Sequence, residues 1–553
     1  MVEAASAVPA AARQPRIVVL SGPVGAGKST LAGALASSYG AVHLRTLDIL
    51  RGHAERRGTA LPSDRRALQD YGDQLDWETG GSWVADEVAA VVAGREDLPQ
   101  IVIVDAVRQL SQIDALRAAF ARVDHLHVRA PETVLDERYR RRGNSSGLAE
   151  LASYAEVAQN RTESAVNELA SDADVDINTD HCDEKDVEIR AAAALRLLPG
   201  RDQRLVDVLI GGQYGSEGKG NIAYYLAPEY DLLARVGGPN AGHKVPTTPP
   251  YTHRLLPSGT RANPGARLLI GPGATLDTAL LLKEISDCGV EPGRLSIDPQ
   301  AMIIEAADVE AEQGLVSGIG STGKGGGAAA ARRITGRHDA DPPVRLARDA
   351  LELAAYIRPA AEVLDEAYRS GRRVLLEGTQ GTGLSMFHGS YPHVTSRDTT
   401  TSACLAEAGI AWNRVRSVIM VCRTYPIRVM NPAEGTSGPM KQELDWNEIA
   451  QRSGMSAADL KEAERGSVSG TQRRVAEFDW ELLRSAAELN GATEIALTFA
   501  DYLDKRNQDA RRYDQLQPET ILFIEEVERV SGTPVTLICT RFDTRSVIDR
   551  RHQ

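Results

Sequence analysis

A glycine-rich loop that ends in a lysine is the first place where this chain could do chemistry. The loop has the spacing G-x-x-x-x-G-K-S, and it follows a β-branched run at residues 17–20. Glycines let backbone N–H groups close around phosphates, the lysine reaches the β- and γ-phosphate oxygens, and the next hydroxyl binds Mg²⁺. The pattern therefore predicts a nucleoside triphosphate site. Its residues are Gly22, Gly25, Gly27, Lys28, Ser29 and Thr30.

Within this site we expect Lys28 to be the catalytic residue and Ser29 to be a metal ligand. Asp105 ends the apolar run at residues 101–105, where a carboxylate can hold the water shell of the metal. Asp48 and Arg51 form a D-x-x-R segment that lies between the glycine-rich loop and Asp105 in the sequence. All three polar residues are predicted nucleotide contacts.

An arginine cluster at residues 137–143 is the last group of candidate residues for the triphosphate site. Guanidinium groups stabilise the charge that spreads over a phosphoryl group during transfer. We therefore expect Arg138 and Arg141 to lie in a lid over the phosphates.

In this order the features resemble the nucleoside monophosphate kinase family over residues 16–198. The resemblance implies a kinase domain that transfers phosphate from ATP to a (deoxy)nucleotide. It also implies that Arg51 and Arg108 contact the acceptor phosphate. The acceptor itself stays open, because the segment at residues 105–108 stands where close relatives often have Asp-Gly.

Five glycine-punctuated polar loops form a second set of candidate residues. The first loop follows a strand-like run at residues 205–210 and has Lys219 before a helical segment, an arrangement typical of phosphate binding. The five loops cover residues 211–220, 237–243, 318–325, 377–382 and 391–396.

In this order the loops resemble adenylosuccinate synthetase over residues 205–553. That family phosphorylates the 6-oxygen of a purine nucleotide and then displaces the phosphate with the α-amine of aspartate. The resemblance implies His243 as the catalytic histidine, because an oxyanion intermediate needs a nearby proton or positive charge. It implies Gly242 as a carbonyl ligand of Mg²⁺, and Arg332 or Arg333 as the arginine that reaches the neighbouring subunit of a homodimer.

The resemblance implies further roles for residues of these loops and of two later segments. The other expected catalytic residues are Ser216, which is also a candidate metal ligand, Lys219 and Gln380. The expected nucleotide contacts are Gly215, Ser216, Glu217, Gly218, Lys219, Gly220, Asn240, Ala241, Thr322, Arg332, Arg333, Gln380, Thr395 and Asp501. The expected aspartate contacts are Ser469, Gly470, Thr471 and Arg473.

Three positions depart from the pattern of that family. Ser216 stands where the family has an aspartate that acts as a base toward purine N1, and a neutral hydroxyl cannot take that role near pH 7. Phe499 replaces a lysine of the guanine-binding segment, which favours ATP or dATP over GTP as phosphoryl donor. Thr471 replaces an arginine on the ribose side, which suits a 2′-deoxy sugar.

Together the departures are similar to the phage-type branch of the family, the 2-aminoadenylosuccinate synthetases. That likeness implies that dGMP, aspartate and ATP give N6-succino-2-amino-2′-deoxyadenylate, ADP and phosphate. Two alternatives stay open. One is an ordinary synthetase acting on IMP, and the other is a regulatory protein that binds purine nucleotide and has kinase activity only.

The elements that must position these residues follow an α/β pattern. Short β-branched runs alternate with Ala/Leu/Arg-rich helical stretches, as in βαβ units around a parallel sheet. At roughly 100 to 200 residues per domain, 553 residues make two to four domains. We predict a flexible tail at residues 1–15, a P-loop kinase-type domain at 16–200 and a synthetase-type α/β domain at 201–553.

Composition narrows the partners to small molecules. With 63 basic and 76 acidic side chains the net charge is −13, which argues against direct binding to nucleic acid or to a membrane surface. The five cysteines lie far apart, which indicates a reducing cytoplasm and neither a disulfide framework nor a thiolate zinc site. No apolar run approaches the ~20 residues that span a bilayer.

Overall fold

The computed structural model divides the chain into two compact units, Met1–Leu198 and Pro199–Gln553. It describes residues 14–59, 65–95, 97–105, 107–141, 154, 165–200, 203–338, 341, 343–466 and 470–551. Residues 1–13 of the predicted tail lie outside these ranges. Each unit contains a central sheet that is mainly parallel, so the predicted α/β fold class is confirmed.

The N-terminal unit is built on a five-stranded parallel sheet in the order β2-β3-β1-β4-β5. Its strands are β1 (Arg16–Ser21), β2 (Val42–Leu44), β3 (Ile101–Asp105), β4 (Val123–Arg129) and β5 (Val175–Asn178). Its helices are α1 (Lys28–Tyr39), α2 (Thr46–Arg57), α3 (Arg65–Thr79), α4 (Ser82–Ala93), α5 (Leu110–Ala119), α6 (Glu132–Arg141) and α7 (Glu184–Ala194). All six residues of β1 are buried, as expected for a parallel strand covered by helices on both faces.

The C-terminal unit is built on a nine-stranded sheet in the order β12-β10-β7-β14-β6-β15-β19-β20-β21. The sheet is parallel except for the last pair, β20 and β21. Its strands are β6 (Val206–Gly211), β7 (Leu232–Arg235), β10 (Arg267–Ile270), β12 (Leu295–Ile297), β14 (Val374–Glu377), β15 (Val415–Arg423), β19 (Glu494–Thr498), β20 (Val535–Cys539) and β21 (Val547–Asp549).

Short strands and many helices surround this sheet. The short strands are β8 (His243–Val245), β9 (Tyr251–His253), β11 (Thr275–Leu276), β13 (Met302–Ile303), β16 (Ile427–Arg428), β17 (Glu443–Leu444) and β18 (Arg474–Ala476). The helices are α8 (Lys219–Leu226), α9 (Thr278–Cys288), α10 (Ala306–Ala311), α11 (Gln313–Ile319), α12 (Gly326–Thr335), α13 (Ala360–Arg369), α14 (Thr401–Ala408), α15 (Trp446–Ser453), α16 (Ala457–Ala463), α17 (Trp480–Asn490) and α18 (Pro518–Ser531). No helix in the described part of the chain is long and apolar enough to cross a membrane.

Both units place a lysine at the start of a helix that follows a glycine loop. Helix α1 begins at Lys28 after Gly27, whose φ is 100°, and helix α8 begins at Lys219 after Gly218, whose φ is 89°. A glycine adopts this left-handed conformation without steric cost. The turn points the first N–H groups of each helix toward the carboxyl end of the sheet, which is where open α/β sheets bind ligands.

Candidate active sites

In the N-terminal unit, the pairing of β1 with β3 places the two residues of the predicted metal site, Ser29 and Asp105, close together. Leu20, the residue before the end of β1, pairs with Asp105, the last residue of β3. The Ser29 hydroxyl donates a hydrogen bond to Asp105 Oδ2 at 2.7 Å, and Asp105 Oδ1 is buried without a hydrogen-bond partner in the described part of the chain. Two oxygen ligands of this kind, one of them ionised, suit Mg²⁺. Ser29 and Asp105 therefore form a fitting metal site beside the loop.

The positive charge of the loop lysine, Lys28, acts on the carboxylate of Asp105. Lys28 Nζ donates to the carbonyl oxygens of Gly22 at 2.5 Å and Pro23 at 2.9 Å. Burial alone would raise the pKa of Asp105, but hydrogen bonds from His43 and Ser29 and the charge of Lys28 hold that pKa below its ordinary value. The carboxylate is therefore ionised and available to a cation near pH 7.

The two predicted lid arginines of this unit, Arg138 and Arg141, have different surroundings. Arg138 lies against the loop, because its guanidinium donates to the carbonyl oxygen of Gly25 at 3.5 Å and to the hydroxyl of Thr179 at 2.8 Å. Arg141 pairs instead with Glu137 on its own helix, and its side chain is 78% exposed. The predicted lid residues 142 and 143 lie outside the described ranges.

The two residues of the D-x-x-R segment form an exposed ion pair on α2. Arg51 Nη1 lies 3.4 Å from Asp48 Oδ1, and both side chains are about half exposed. They remain accessible to a ligand rather than locked in a buried network.

In the C-terminal unit, the glycine loop after β6 is held together by a buried ion pair. Lys219 Nζ donates to Glu217 Oε2 at 2.5 Å, and Glu217 Oε1 accepts from the backbone N–H of Gln213 at 3.1 Å and Gly215 at 2.8 Å. Gly211 permits this packing, because a Cβ there would lie 2.7 Å from Lys219 Nζ. Glu217 therefore supports the loop from inside, and it is fully buried.

His243 begins β8 and is held by a carboxylate from the sheet. Its Nδ1 hydrogen-bonds to Glu377 Oε1, at the end of β14. The same carboxylate accepts from Arg235 Nη1 at 3.1 Å and from the backbone N–H of Ser258 at 2.7 Å. Arg235 and Glu377 are register partners on neighbouring strands, so the sheet itself sets the position of the carboxylate.

This arrangement fixes the charge and tautomer of His243. Burial, assisted by the charge of Arg235, lowers the pKa of His243 to about 4. Glu377 has its pKa lowered to about 2, because Arg235 and His243 outweigh the effect of burial. Near pH 7 the ring is neutral and its Nδ1–H donates to the ionised Glu377. The second ring nitrogen, Nε2, is left for the pockets that His243 lines.

Two pockets meet at His243. The first pocket contains the predicted residues Gly215, Asn240, Ala241, Thr322, Gln380 and Thr395, together with Tyr214, Leu384, His393 and Arg428. The second pocket contains the predicted residues Gly218, Lys219, Gly220 and Asp501, together with Arg423, Phe499, Tyr502 and Gln508. Both pockets are lined by Ser216, Gly242, His243 and Arg473.

Ser216 is held by two arginines where the pockets meet. Arg473 Nη1 donates to Ser216 Oγ at 2.5 Å, and Arg423 Nη1 donates to the Ser216 carbonyl oxygen at 3.3 Å. Ser216 also has a positive φ of 57°. Gln380 and Phe499 share this conformation, with φ of 59° and 58°. Strain of this kind in non-glycine residues is typical of functional sites.

The family described as Adenylosuccinate synthetase matches residues 208–339 and 344–508, more than half of the chain. The chain belongs to this family. A second family, described as AAA domain, matches residues 17–166 and covers the P-loop of the N-terminal unit. The chain is therefore an enzyme with a synthetase unit of ligase type and a P-loop kinase-like unit.

Named relatives agree with this assignment. Adenylosuccinate synthetase from Pyrococcus horikoshii is 39% identical over 354 residues, which are 62% of this chain and 98% of that protein. The solved succinoaminodeoxyadenylate synthetase of cyanophage S-2L, bound to dGMP and to dATP as an energy donor, is 26% identical, with a TM-score of 0.52 over 63% of this chain and 96% of that one. Adenylosuccinate synthetase from Plasmodium falciparum is similar in fold, with 20% identity and a TM-score of 0.55 over 63% of this chain and all of that one.

Glu377 begins the predicted loop at residues 377–382, but the resemblance assigns it no role of its own. It is a carboxylate at the end of a buried strand, and the same position at the end of an apolar run indicates Asp105. Its partners Arg235 and Ser258 carry no comparable signal, because they meet Glu377 only through the fold.

Some predicted residues of the synthetase unit line neither pocket. Arg332 pairs with Asp308, and Arg333 donates to the Gln300 carbonyl oxygen at 2.6 Å, so both guanidinium groups contact their own chain. Gly470 and Thr471 also line neither pocket. Ser469 lies outside the described residues.

The predicted metal ligands of the synthetase unit are neutral oxygens. Ser216 offers a hydroxyl and Gly242 a carbonyl, and both line the junction of the pockets. Mg²⁺ accepts such ligands when substrate phosphates supply the negative charge. The residues therefore fit an ion that arrives with a nucleoside triphosphate.

Proposed function

We propose that the synthetase unit joins aspartate to purine C6 of dGMP, with ATP or dATP as phosphoryl donor. The product is N6-succino-2-amino-2′-deoxyadenylate, released with ADP (or dADP) and phosphate. The observation that carries the proposal is the junction of the two pockets, where His243 stands beside a serine hydroxyl rather than a carboxylate.

The two pockets suit a reaction in two steps. In the first step purine N1 gives up its proton to water and the 6-oxygen attacks the γ-phosphorus, and the bond from that phosphorus to the bridging oxygen of the diphosphate breaks. In the second step the neutral aspartate amine attacks C6, phosphate leaves with the 6-oxygen, and the amine nitrogen loses one proton to the departing phosphate or to water. The first pocket would hold the acceptor nucleotide, the second would hold the donor, and His243 lies where the phosphoryl group must pass.

His243 supports both steps through its contact with Glu377. A phosphoryl group next to Nε2 adds negative charge, which favours a protonated ring. Glu377 stabilises the positive charge that develops, much as a buried carboxylate does for other catalytic histidines. Mg²⁺ bound with the donor phosphates would neutralise part of their charge.

The lining of the first pocket favours a guanine acceptor over hypoxanthine. Among its described residues no carboxylate occurs, and its ionisable groups are Tyr214, His243, His393, Arg428 and Arg473. A serine at position 216 is smaller than aspartate and uncharged, so it leaves room beside the purine for the 2-amino group of guanine. The cyanophage relative was solved with dGMP bound, which agrees with this choice.

Arg473 is the proposed contact for the aspartate carboxylate. A guanidinium binds a carboxylate through two parallel hydrogen bonds. Because a hydrogen bond to a charged group contributes about 1.5–3 kcal/mol, replacing Arg473 with alanine should raise the KM for aspartate by roughly 10- to 100-fold. Steady-state succinyl transfer at varied aspartate checks this.

The exposed Arg484, on α17, provides a matched control, because its side chain is 69% exposed. Arg484→Ala should leave the KM for aspartate unchanged. An unchanged KM in the Arg473→Ala variant as well would remove Arg473 from the aspartate site.

The acceptor can be tested directly by competition. The purified chain receives Mg²⁺, aspartate and ATP with dGMP and IMP in the same tube, and mass spectrometry identifies the succinylated product. We expect succinylated dGMP. Succinylated IMP alone would instead show ordinary adenylosuccinate synthesis, the activity named for the archaeal relative. Nucleotide binding without any succinylated product would favour a regulatory role.

We further propose that the N-terminal unit is a (deoxy)nucleoside monophosphate kinase that serves the same deoxynucleotide pathway. Ser29, Asp105 and Arg138 around the loop support phosphoryl transfer. An assay with dGMP, dAMP, dTMP and the diaminopurine deoxynucleotide as acceptors tests this, and phosphorylation of none of them would exclude it. We also propose that the enzyme acts in the cytoplasm as a homodimer formed by the synthetase unit, which size measurement in solution checks.

A further inference from the structure

At one end of the second pocket a buried carboxylate has one oxygen left unpaired. Asp501 follows β19 in the short helical turn Ala500–Tyr502 and is 5% exposed. Its Oδ2 accepts a hydrogen bond from Gln508 Nε2 at 3.1 Å, whereas its Oδ1 is buried and has no hydrogen-bond partner among the residues that the structure describes. Buried polar atoms are almost always satisfied in native proteins, so the unpaired oxygen indicates a donor on a ligand.

The contact with Asp501 also determines which way the Gln508 amide points. Burial raises the pKa of Asp501 to about 6, so the group is mainly an ionised acceptor above pH 7. An ionised carboxylate only accepts hydrogen bonds, so the amide nitrogen of Gln508 must face it. The amide oxygen, Oε1, then faces away, and no group of the described residues donates to it. Asp501 and Gln508, which both line the second pocket, thus offer two acceptor oxygens.

We infer that Gln508 and Asp501 together recognise the 6-amino group of the donor's adenine and reject guanine. The inference rests on the proposed use of ATP or dATP and names the residues that enforce it. The adenine amino group carries two hydrogens, one for Asp501 Oδ1 and one for Gln508 Oε1. Guanine has a carbonyl oxygen at the same position, which would face two acceptors.

Gln508 also competes with guanine for the carboxylate of Asp501. The N1–H and 2-amino group of guanine form a pair of adjacent donors, which match the two oxygens of one free carboxylate. In this chain Gln508 Nε2 already occupies Asp501 Oδ2. The neighbouring Phe499 carries the Arg423 guanidinium over its ring at 4.0 Å and offers no donor to a 6-oxygen.

Replacing Gln508 with alanine tests the inference through the choice of donor. The full chain is assayed for succinylated product, which only the synthetase unit makes, with ATP, dATP and GTP in separate reactions. We expect the ratio of kcat/KM for ATP to that for GTP to fall by about 10-fold or more, because the variant loses an acceptor for adenine and frees Oδ2 for guanine. The KM for the acceptor nucleotide should stay the same.

A second variant and a control make the test decisive. Asp501→Asn places an amide donor in the pocket and should also lower the ATP-to-GTP ratio. The matched control is Gln451→Ala, at an exposed position on α15 outside both pockets. An unchanged ratio in both test variants, or a wild-type chain that uses GTP as well as ATP, overturns the inference.

The assay separates this inference from the proposed acceptor. Each donor is offered with dGMP and with IMP. Succinylated IMP without succinylated dGMP would contradict the proposed acceptor, yet the ratio of donors would still decide the role of Gln508.

Discussion

Replacing His243 with alanine will reduce succinyl transfer by roughly 10²- to 10⁴-fold, the usual contribution of a positioned acid–base group. The reason is the position of the ring at the junction of the two pockets, where the phosphoryl group must pass. The variant should fold, because Glu377 keeps its contacts with Arg235 and Ser258 when the ring is removed. Mass-spectrometric assay of the succinylated product measures the loss.

Two further measurements identify the cause of that loss. Binding of the acceptor nucleotide should change little, because the lost side chain acts on the reacting oxygen. His388→Ala is a suitable control, because His388 is an exposed histidine of the same unit. Near-normal succinyl transfer in the His243→Ala variant would remove the role assigned to His243.

Replacing Lys28 with alanine will reduce phosphoryl transfer by the N-terminal unit by roughly 10²- to 10³-fold, as expected when a charge that stabilises the transition state is lost. Succinyl transfer should remain close to that of the wild type, since the synthetase unit has its own glycine loop with Lys219. Parallel assays of both activities on one protein preparation check the prediction.

The control for this variant is another lysine of the same unit. The side chain of Lys185 is 61% exposed and lies on α7, so Lys185→Ala should leave both activities unchanged. If Lys28→Ala abolished succinyl transfer as well, the two activities would depend on each other.

Much of the fold could be predicted from local patterns. The run at residues 205–210 forms most of β6, and the run at 494–497 lies within β19. Such predictions succeed because buried parallel strands are short, β-branched and bounded by glycine. The glycine loops that begin at residues 22, 211, 237 and 377 also fall at the carboxyl ends of strands.

The contacts that make the synthetase site specific could not be predicted in this way. His243 and Glu377 are 134 positions apart, and register between β7 and β14 places Glu377 beside Arg235. The left-handed backbone of Ser216, Gln380 and Phe499 is equally invisible, because serine, glutamine and phenylalanine rarely adopt it. Long-range packing imposes both features.

The pairing of Gln508 with Asp501 shows a further limit of sequence patterns. The family resemblance indicates Asp501, but an aspartate with both oxygens free and an aspartate with one oxygen occupied have different ligand preferences. Only the position of the short helix Lys505–Asp509 reveals which of the two this chain has.

The two compact units of one chain are always synthesised in equal numbers. A cell that carries this protein cannot adjust the ratio of the two activities by changing the expression of one gene relative to another. At given substrate concentrations, the ratio of the two rates therefore depends on the kinetic constants of the units and not on their relative amounts. A higher gene dosage raises both activities together and leaves that ratio unchanged.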